Sequence, residues 1–421
     1  MTGAAPVTVR VAHPADVASA GALTAEAYVA DGLLTDEDDY AAELRDAASR
    51  AAEATLLVAV LPTPDGHDAV VGTITVAACG SSYAEVAEPG EVELRMLAVA
   101  PEVRGRGVAA GLVRAALREA IAEGARRVVL STLDAMAAAR RLYAGMGFVA
   151  EPERDWGHED VRLRVLTWTP PEAPGPLVET QTWPPARVVV TPDGWRCGLS
   201  GGFTQRANSA LPLGRPADLG AAVARVEAVY DEAGQPPVFR IGAGAPDGLA
   251  LVLAVRGYVA RSRTDVMVRS LAAARAAGGG AAGGAVGEGL TVRVSTEPDE
   301  AWLRAWLGVK GPGVDPSAVR AVLTGAPAHY LSATSGGAPV GTLRVGYAEE
   351  WAGLSCLAVE PSARRGGIGR ALTRHGLALA AQRGAARAFL QVEAANSGAA
   401  SLYERLGFVL ADGYRYVAPA E

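Results

Sequence analysis

The sequence predicts an α/β chain built from repeated units, each alternating strands with helices. Three observations carry that expectation. Leu97-Ala-Val-Ala-Pro-Glu-Val-Arg-Gly-Arg-Gly-Val-Ala-Ala110 returns 260 positions later as Leu357-Ala-Val-Glu-Pro-Ser-Ala-Arg-Arg-Gly-Gly-Ile-Gly-Arg370, and the match runs ungapped to Phe148 and Phe408. Such an internal repeat has to be read before any single element. In both copies an apolar run stops at Pro, enters a loop dense in Arg and Gly, and gives way at once to a helix-forming segment, Val108 to Glu123 and Ile368 to Arg383. Strand-like and helix-like patterns then alternate along each copy, the pattern of an α/β unit.

The loop has a chemistry of its own. Glycines let backbone N–H groups turn inward, and a helix N-terminus adds unpaired donors and partial positive charge, so a diphosphate is the natural guest. Gly105-x-Gly107-x-x-Ala110, with Asp134 downstream, also fits a dinucleotide fingerprint. The second copy rejects that reading, because Leu372 stands where close helix packing demands Gly or Ala. The copies share Arg104 and Arg364, Gly107 and Gly367, and a Tyr 39 residues beyond each Arg, Tyr143 and Tyr403, in L-Y-x-x-x-G-F ending at Gly147-Phe148 and Gly407-Phe408.

L-A-V-x-P, R-x-x-G-x-G/A and L-Y-x-x-x-G-F at fixed spacing resemble the GNAT superfamily of acetyl-CoA-dependent N-acetyltransferases. The resemblance implies tandem GNAT folds with a centrally splayed sheet, acetyl-CoA as acetyl donor, and direct attack of an amine with no metal. Carried onto this sequence, it places the pyrophosphate against Arg104, Gly105, Arg106, Gly107, Val108 and Ala109, and in the second copy against Arg364, Arg365, Gly366, Gly367, Ile368, Gly369 and Arg370. It sets the acyl group against the splayed strands Leu97, Ala98, Val99 and Leu357, Ala358, Val359, with Asn396 beside the pantetheine arm and Met136 in the corresponding place of the first copy. Tyr143 and Tyr403 match the family's general acid, although both also read as aromatic packing at a helix end. Glu93 stands where many members place a base acting through water, although Glu91, Glu93 and Arg95 also read as the polar face of a strand; the second copy has Gly353 there.

Taken in order, Val7 to Val11 reads as a strand, Pro14 to Ala30 and Asp36 to Ala52 as helices, and Thr55 to Val60, Ala69 to Ala77 and Val92 to Val99 as strands. After the loop helix come a strand at Arg127 to Ser131, a helix from Asp134 to Gly145, and strands around Phe148 and Val161 to Trp168. These make the first unit, residues 1–168. Val340-Gly-Thr-Leu-Arg-Val345 echoes Val71-Gly-Thr-Ile-Thr-Val76 in the last unit, residues 290–421, and the spacing places an insertion at Ser81 to Pro89. The Pro-rich stretch 169–186 reads as an extended linker and the Gly/Ala-rich stretch 272–289 as a flexible one. Between them, 187–271 reads as a degenerate third unit. At its loop Pro216, Ala217 and Asp218 replace Gly366, Gly367 and Ile368, removing a donor and adding a helix-capping carboxylate. Leu253 replaces Tyr403. Gly202-Phe-Thr-Gln-Arg-Ala-Asn-Ser-Ala-Leu-Pro-Leu213 in that segment offers Arg206, Asn208 and Ser209 to an acceptor, or is an irregular loop with satisfied polar groups. From Arg187 onward the chain resembles a two-unit actinobacterial GNAT family labelled N-acetylglutamate synthase-like. That resemblance suggests glutamate as an acceptor, and Arg206 as partner for its carboxylate.

A net charge of −7, with Lys310 the only lysine, argues against a nucleic-acid surface or a polybasic membrane patch. Cys79, Cys197 and Cys356 are too scattered for a disulfide framework or zinc site. The five histidines have no ligand-like spacing. The absence of a leader-like segment makes the cytoplasm the expected compartment. The expected enzyme transfers acetyl to a primary amine of a small molecule or amino acid. The first unit reads as a separate N-acetyltransferase acting on a small amine or a protein N-terminus, and one unit as an acyl-CoA sensor is the contrasting class.

Overall fold

The computed structural model describes residues 7–35, 37–63, 67–158, 161–276, 290–310 and 315–420, which fall into two compact units, Met1–Pro170 and Pro171–Glu421.

The first unit runs β1 (Thr8–Val11), α1 (Val17–Ala30), α2 (Asp39–Arg45), α3 (Ala47–Glu53), β2 (Thr55–Pro62), β3 (Asp68–Ala78), β4 (Glu91–Val99), α4 (Val108–Ala122), β5 (Arg127–Leu133), α5 (Ala137–Gly145), β6 (Val149–Ala150), β7 (Trp156–His158) and β8 (Val161–Trp168). Its sheet has the order β1-β2-β3-β4-β5-β8-β6, with β7 paired to β8. The helix expected from Asp36 to Ala52 is two helices. Asp46 leaves the helical region at ψ 65° and its carboxylate accepts from the Ser49 N–H at 3.0 Å, so a residue that caps α3 also ends α2. Asp36 itself lies outside the described residues. Helix α4 lies directly on β3. A side chain at Gly72 would come within 2.9 Å of Leu112 and 3.2 Å of Val108, which explains the V-G-T string.

Between β4 and β5 the sheet opens. Four parallel pairs, Glu91–Leu94 against Arg127–Leu130, hold the strands together, and no pair follows them. On its other edge β4 bulges, because Met96 takes φ 55° and the register to β3 shifts between Thr73 and Thr75. An extra residue in one strand bends it and deepens its twist, so β4 turns away from β5 just where pairing ends.

The second unit comprises α6 (Gly175–Thr182), β9 (Arg187–Val190), β10 (Arg196–Leu199), β11 (Ala210–Leu211), α7 (Leu219–Glu232), β12 (Phe239–Ile241), α8 (Leu249–Val255), β13 (Tyr258–Ser270), α9 (Ala272–Ala276), β14 (Leu290–Ser295), α10 (Glu300–Lys310), α11 (Pro316–Thr324), β15 (Ala328–Ser335), β16 (Ala338–Ala348), β17 (Trp351–Val359), α12 (Ile368–Gln382), β18 (Arg387–Glu393), α13 (Ser397–Glu404) and β19 (Val409–Pro419). The opening recurs here. Four parallel pairs end at Leu354 and Leu390, Cys356 takes φ 57°, and a bulge faces β16. Gly341 repeats Gly72, with a built Cβ 3.0 Å from Leu372 and 3.1 Å from Ile368.

Two expectations are corrected. The stretch 169–186 is not an extended spacer throughout, since Gly175–Thr182 is helical and buries Val178, Glu179 and Thr182. The stretch 187–271 is not a self-contained unit either. One sheet of order β14-β15-β16-β17-β18-β13-β19-β12-β11-β10-β9 spans the whole second unit. In the first unit the strand beside β5 is that unit's own β8. Here the strand beside β18 is β13 of the middle segment, and the strand beside β12 is β19 from the C-terminal end. The two segments have exchanged their last strands. The expected flexible linker begins as the short helix α9, and residues 277–289 lie outside the described residues.

Each unit also buries an arginine that the sequence reading passed over. Arg50 and Arg344 are both fully buried. Arg50 donates to the Leu44 carbonyl at 2.9 Å and reaches the Met96 sulfur at 3.0 Å. Arg344 donates to the Leu323 and Thr182 carbonyls at 3.0 and 2.8 Å. Among the described residues neither has an ion-pair partner. Leu44 and Leu323 lie at the C-terminal ends of α2 and α11, where carbonyls are unpaired and the helix dipole is negative. The two guanidiniums come from non-equivalent sequence positions, and each meets a carbonyl near the C-terminal end of a helix. Among the described residues no helix is long and apolar enough to cross a membrane.

Two outcomes follow from this packing. Ending the chain after Leu406 should unfold the middle segment as well as the last, seen as loss of the second unit's thermal transition by circular dichroism; a protease-resistant fragment spanning 187–270 would contradict the strand exchange. Arg344→Met should lower stability by roughly 1–3 kcal/mol, since it leaves the buried Thr182 carbonyl unmet while Leu323 keeps its bond from the Tyr330 hydroxyl at 2.6 Å, and an unchanged midpoint in urea would refute that assignment.

Candidate active site

At both repeat loops glycines are needed for conformation, although Gly366 is not among them, since its φ is not positive. Gly105, Gly107 and Gly367 have φ of 76°, 82° and 80°, and a Cβ on any of them would meet nothing within 4 Å. Left-handed backbone facing open space is what a ligand-cradling turn requires. Arg365 occupies the place of Gly105 and keeps φ 65°, at a cost of about 1–2 kcal/mol for a residue with a Cβ. Gly107 and Gly367 then begin α4 and α12 with no side-chain cap, which leaves the first-turn N–H groups available to an anion. Val108 and Ile368 point into the core at 3% and 8% exposure, so their backbones and not their side chains belong to the cradle.

Arg104 and Arg364 shape the loops from behind. Each Nε donates to a strand-end carbonyl at 3.2 Å, Val99 in one and Val359 in the other. Arg104 is further engaged with Asp31 at 2.6 Å. Arg106 and Arg370 are exposed at the loops, and Ala109 and Gly369 stand in the first turns of the helices. The strand segments Leu97–Val99 and Leu357–Val359 lie beyond the last ladder pair, on the lips of the two openings. Asn396 caps α13, its Oδ1 accepting from the Ala399 N–H at 3.1 Å, which leaves its amide NH2 unspent by the cap. Met136 takes that cap position before α5 without a capping bond.

Tyr143 and Tyr403 both pack on the Phe of their motif, with centroids 5.6 and 5.9 Å apart, and in each the Tyr carbonyl accepts the Phe N–H at 3.0 Å. The L-Y-x-x-x-G-F string is therefore a helix-end turn that fixes the Tyr backbone. Burial raises the Tyr143 phenol well above its ordinary value and pushes Tyr403 up to about 12, offset in part by the nearby Arg206 charge. Both stay protonated at neutral pH.

Glu93 is buried on β4, and its Oε2 accepts three backbone N–H groups of the insertion, Glu85 and Val86 at 2.8 Å and Ala87 at 3.2 Å. Its Oε1 is buried with no hydrogen-bond partner. Burial raises its pKa, and the bonds from Val86 and Glu85 and the charge of Arg95 lower it in part. The insertion at 81–89 is thus pinned over this face by the carboxylate. In the second unit Gly353 leaves room for α6, whose Thr182 Oγ1 would lie 2.8 Å from a Cβ there.

The middle segment sorts its three candidates differently. Asn208 is corrected: Oδ1 accepts from Ser200 and Gly202 at 2.7 and 3.0 Å while Nδ2 donates to Phe203 and Thr204 at 2.7 and 2.9 Å, so the amide is consumed in holding its own loop. Arg206 does reach the last segment. It donates to Gln391 and lies 4.8 Å from the Trp183 ring. Ser209 is buried. Gln391, which the sequence reading missed, also donates to the buried Glu179, and Arg240 meets Glu179 at 2.8 Å. Nothing local marks these residues, because strand exchange brings them together. At the third loop Asp218 accepts from the Ala221 N–H at 3.0 Å, filling the helix start with the chain's own anion. Among the described residues no group of His, Cys, Asp or Glu could hold a metal ion.

Uncapped helix starts, left-handed glycines facing open space and an opened sheet fit the diphosphate and pantetheine of a CoA thioester at two places. Comparison with known proteins agrees. A family model described as "Probable histone acetyltransferase Rv0428c C-terminal" matches residues 179–417, more than half of the chain, and one described as "Acetyltransferase (GNAT) family" matches 23–148. A mycothiol acetyltransferase of Salinispora tropica is 55% identical over 53 residues, 12% of this chain and 17% of that protein. The [ribosomal protein bS18]-alanine N-acetyltransferase of Escherichia coli is 46% identical over 52 residues, 12% of this chain and 35% of that one. The chain thus spans about a fifth to a third of the curated relatives it matches. A solved GCN5-related N-acetyltransferase from Kribbella flavida has 20% identity and a TM-score of 0.44, covering 58% of this chain and 94% of that one. GNAT acetyltransferases use acetyl-CoA. The chain belongs to the family described as probable histone acetyltransferase Rv0428c C-terminal, and with its first unit's match it is a member of the GNAT N-acetyltransferases.

Proposed function

We propose that this chain transfers acetyl from acetyl-CoA to the primary amine of a small molecule or amino acid in its second unit, with glutamate as a candidate acceptor. The first unit is proposed as a separate N-acetyltransferase for a small amine. The observation that carries the reading is the coincidence, in each unit, of an uncapped Arg/Gly loop, a parallel ladder that stops after four pairs, and a protonated Tyr on the neighbouring helix. When bound, acetyl-CoA supplies an activated acetyl thioester. The lips of the opening present backbone donors where oxyanion charge develops. Tyr143 and Tyr403 hold a proton on Oη for the departing thiolate, which a phenol far from its ionisation point can do at neutral pH.

In the first unit Glu93 is the proposed base, through Oε1. Its two oxygens have separate duties, one fixing the insertion and the other, 4.0 Å from the Arg95 Nε, taking an acceptor proton delivered through water.

Tyr143→Phe and Tyr403→Phe should each lower kcat of their unit about 100-fold or more while the acetyl-CoA dissociation constant stays the same; unaltered rates would remove the acid assignment. Because a base acts only when ionised and the Glu93 pKa is raised, first-unit kcat/KM should fall as pH drops through a value above the ordinary carboxyl range. Glu93→Gln should abolish that acidic limb along with most of the rate. A variant that loses rate but keeps the limb would reduce Glu93 to a latch for the insertion.

A further inference from the structure

The second unit holds a polar cavity that no part of the cradle explains. It measures about 20 Å³ and is lined by Arg196, Gly198, Arg206, Ser209, Arg240 and Thr180, among others. A water-sized group needs about 10–15 Å³, so the space suits the end of one small polar group. Three guanidiniums reach it from three places: β10, the loop before β11, and β12. The same face is covered by α6.

The charges there do not balance. Arg240 is matched by Glu179 at 2.8 Å and also feels Asp412. Arg206 is bonded to the neutral amide of Gln391. Arg196 has a buried Nε with no hydrogen-bond partner. Among the described residues neither Arg196 nor Arg206 has an ion-pair partner. Partly buried guanidiniums left without an anion are unfavourable, and their fork of donors suits a carboxylate.

The position of the cavity says which carboxylate. Gln391, which Arg206 holds, is the residue after Leu390, the last partner in the β17–β18 ladder. The cavity therefore adjoins the mouth of the opening where the amine must stand, and Arg206 is near enough to Tyr403 for its charge to act on the phenol. We propose that Arg196, Arg206 and Ser209 form a carboxylate subsite that holds the acid group of an amino-acid acceptor while its amine enters the β17–β18 opening. This rests on the transfer reading above and narrows its acceptor to carboxylate-bearing amines.

The test uses the full-length chain carrying Tyr143→Phe, so that turnover reports the second unit, with L-glutamate compared with propylamine, the same skeleton without carboxylates. Arg196→Gln should reduce the ratio of kcat/KM for glutamate over propylamine at least tenfold, and Arg206→Gln should act in the same direction; circular dichroism checks that both variants fold. A second arm needs no turnover. Glutarate should raise the thermal midpoint of the parent and not that of Arg196→Gln. An unchanged ratio in both variants overturns the acceptor assignment, including the case where glutarate still discriminates them, which would mark a site for a free carboxylate effector. Equal glutarate shifts in parent and variant overturn the carboxylate site itself. If no amine is acetylated but glutarate stabilises only the parent, the transfer reading falls while the carboxylate site stands.

Discussion

A parallel ladder that closes for four pairs and then stops is the constraint from which both sites derive. Its cause is local. Met96 and Cys356 carry positive φ without being glycine, at a cost of about 1–2 kcal/mol each, and the extra residue on the outer edge of β4 and β17 turns each strand off its neighbour. A sheet gives up inter-strand hydrogen bonds only where something else uses the freed groups. Behind the first bulge stands Arg50, whose guanidinium touches the Met96 sulfur; in the second unit Arg344 ties the end of α11 to Thr182. The opening is therefore supported from the core rather than left as a frayed edge.

Strand exchange gives the second unit a different character from the first. Because β13 closes against β18 and β19 against β12, the middle segment cannot drift from the catalytic candidates beside it. Its own loop has a capping carboxylate where a phosphate would sit. What it contributes is a wall: Arg206 reaches across to Gln391, and Arg240 with Glu179 forms a buried pair beneath α6. In the first unit the corresponding cover comes from the insertion at 81–89, pinned by Glu93. Two different sequence devices thus stand beside the two openings.

Much of this was legible in the residues. The repeat at a spacing of 260 positions marked both Arg/Gly turns, the opened sheet followed from the resemblance those motifs carry, and the replacement of Ile368 by Asp218 foretold a capped helix. Asn208 misled, since an amide with all its bonds inside one loop looks the same in sequence as one facing a substrate. The helix Gly175–Thr182 was hidden by flanking prolines, and the buried Arg50 and Arg344 carry no signal because their partners are main-chain carbonyls. Gln391, Arg196 and Glu179 escaped for a topological reason: their neighbours are set by a strand order that pairwise sequence comparison does not encode.

Isothermal titration of acetyl-CoA into the intact chain tests the central claim most directly. Two equivalents should bind, one disappearing with Gly107→Val and the other with Gly367→Val, since each change forces a β-branched residue into the left-handed turn that begins its helix. A single equivalent, a third, or two that survive both substitutions would contradict the account of two cradles formed by those turns.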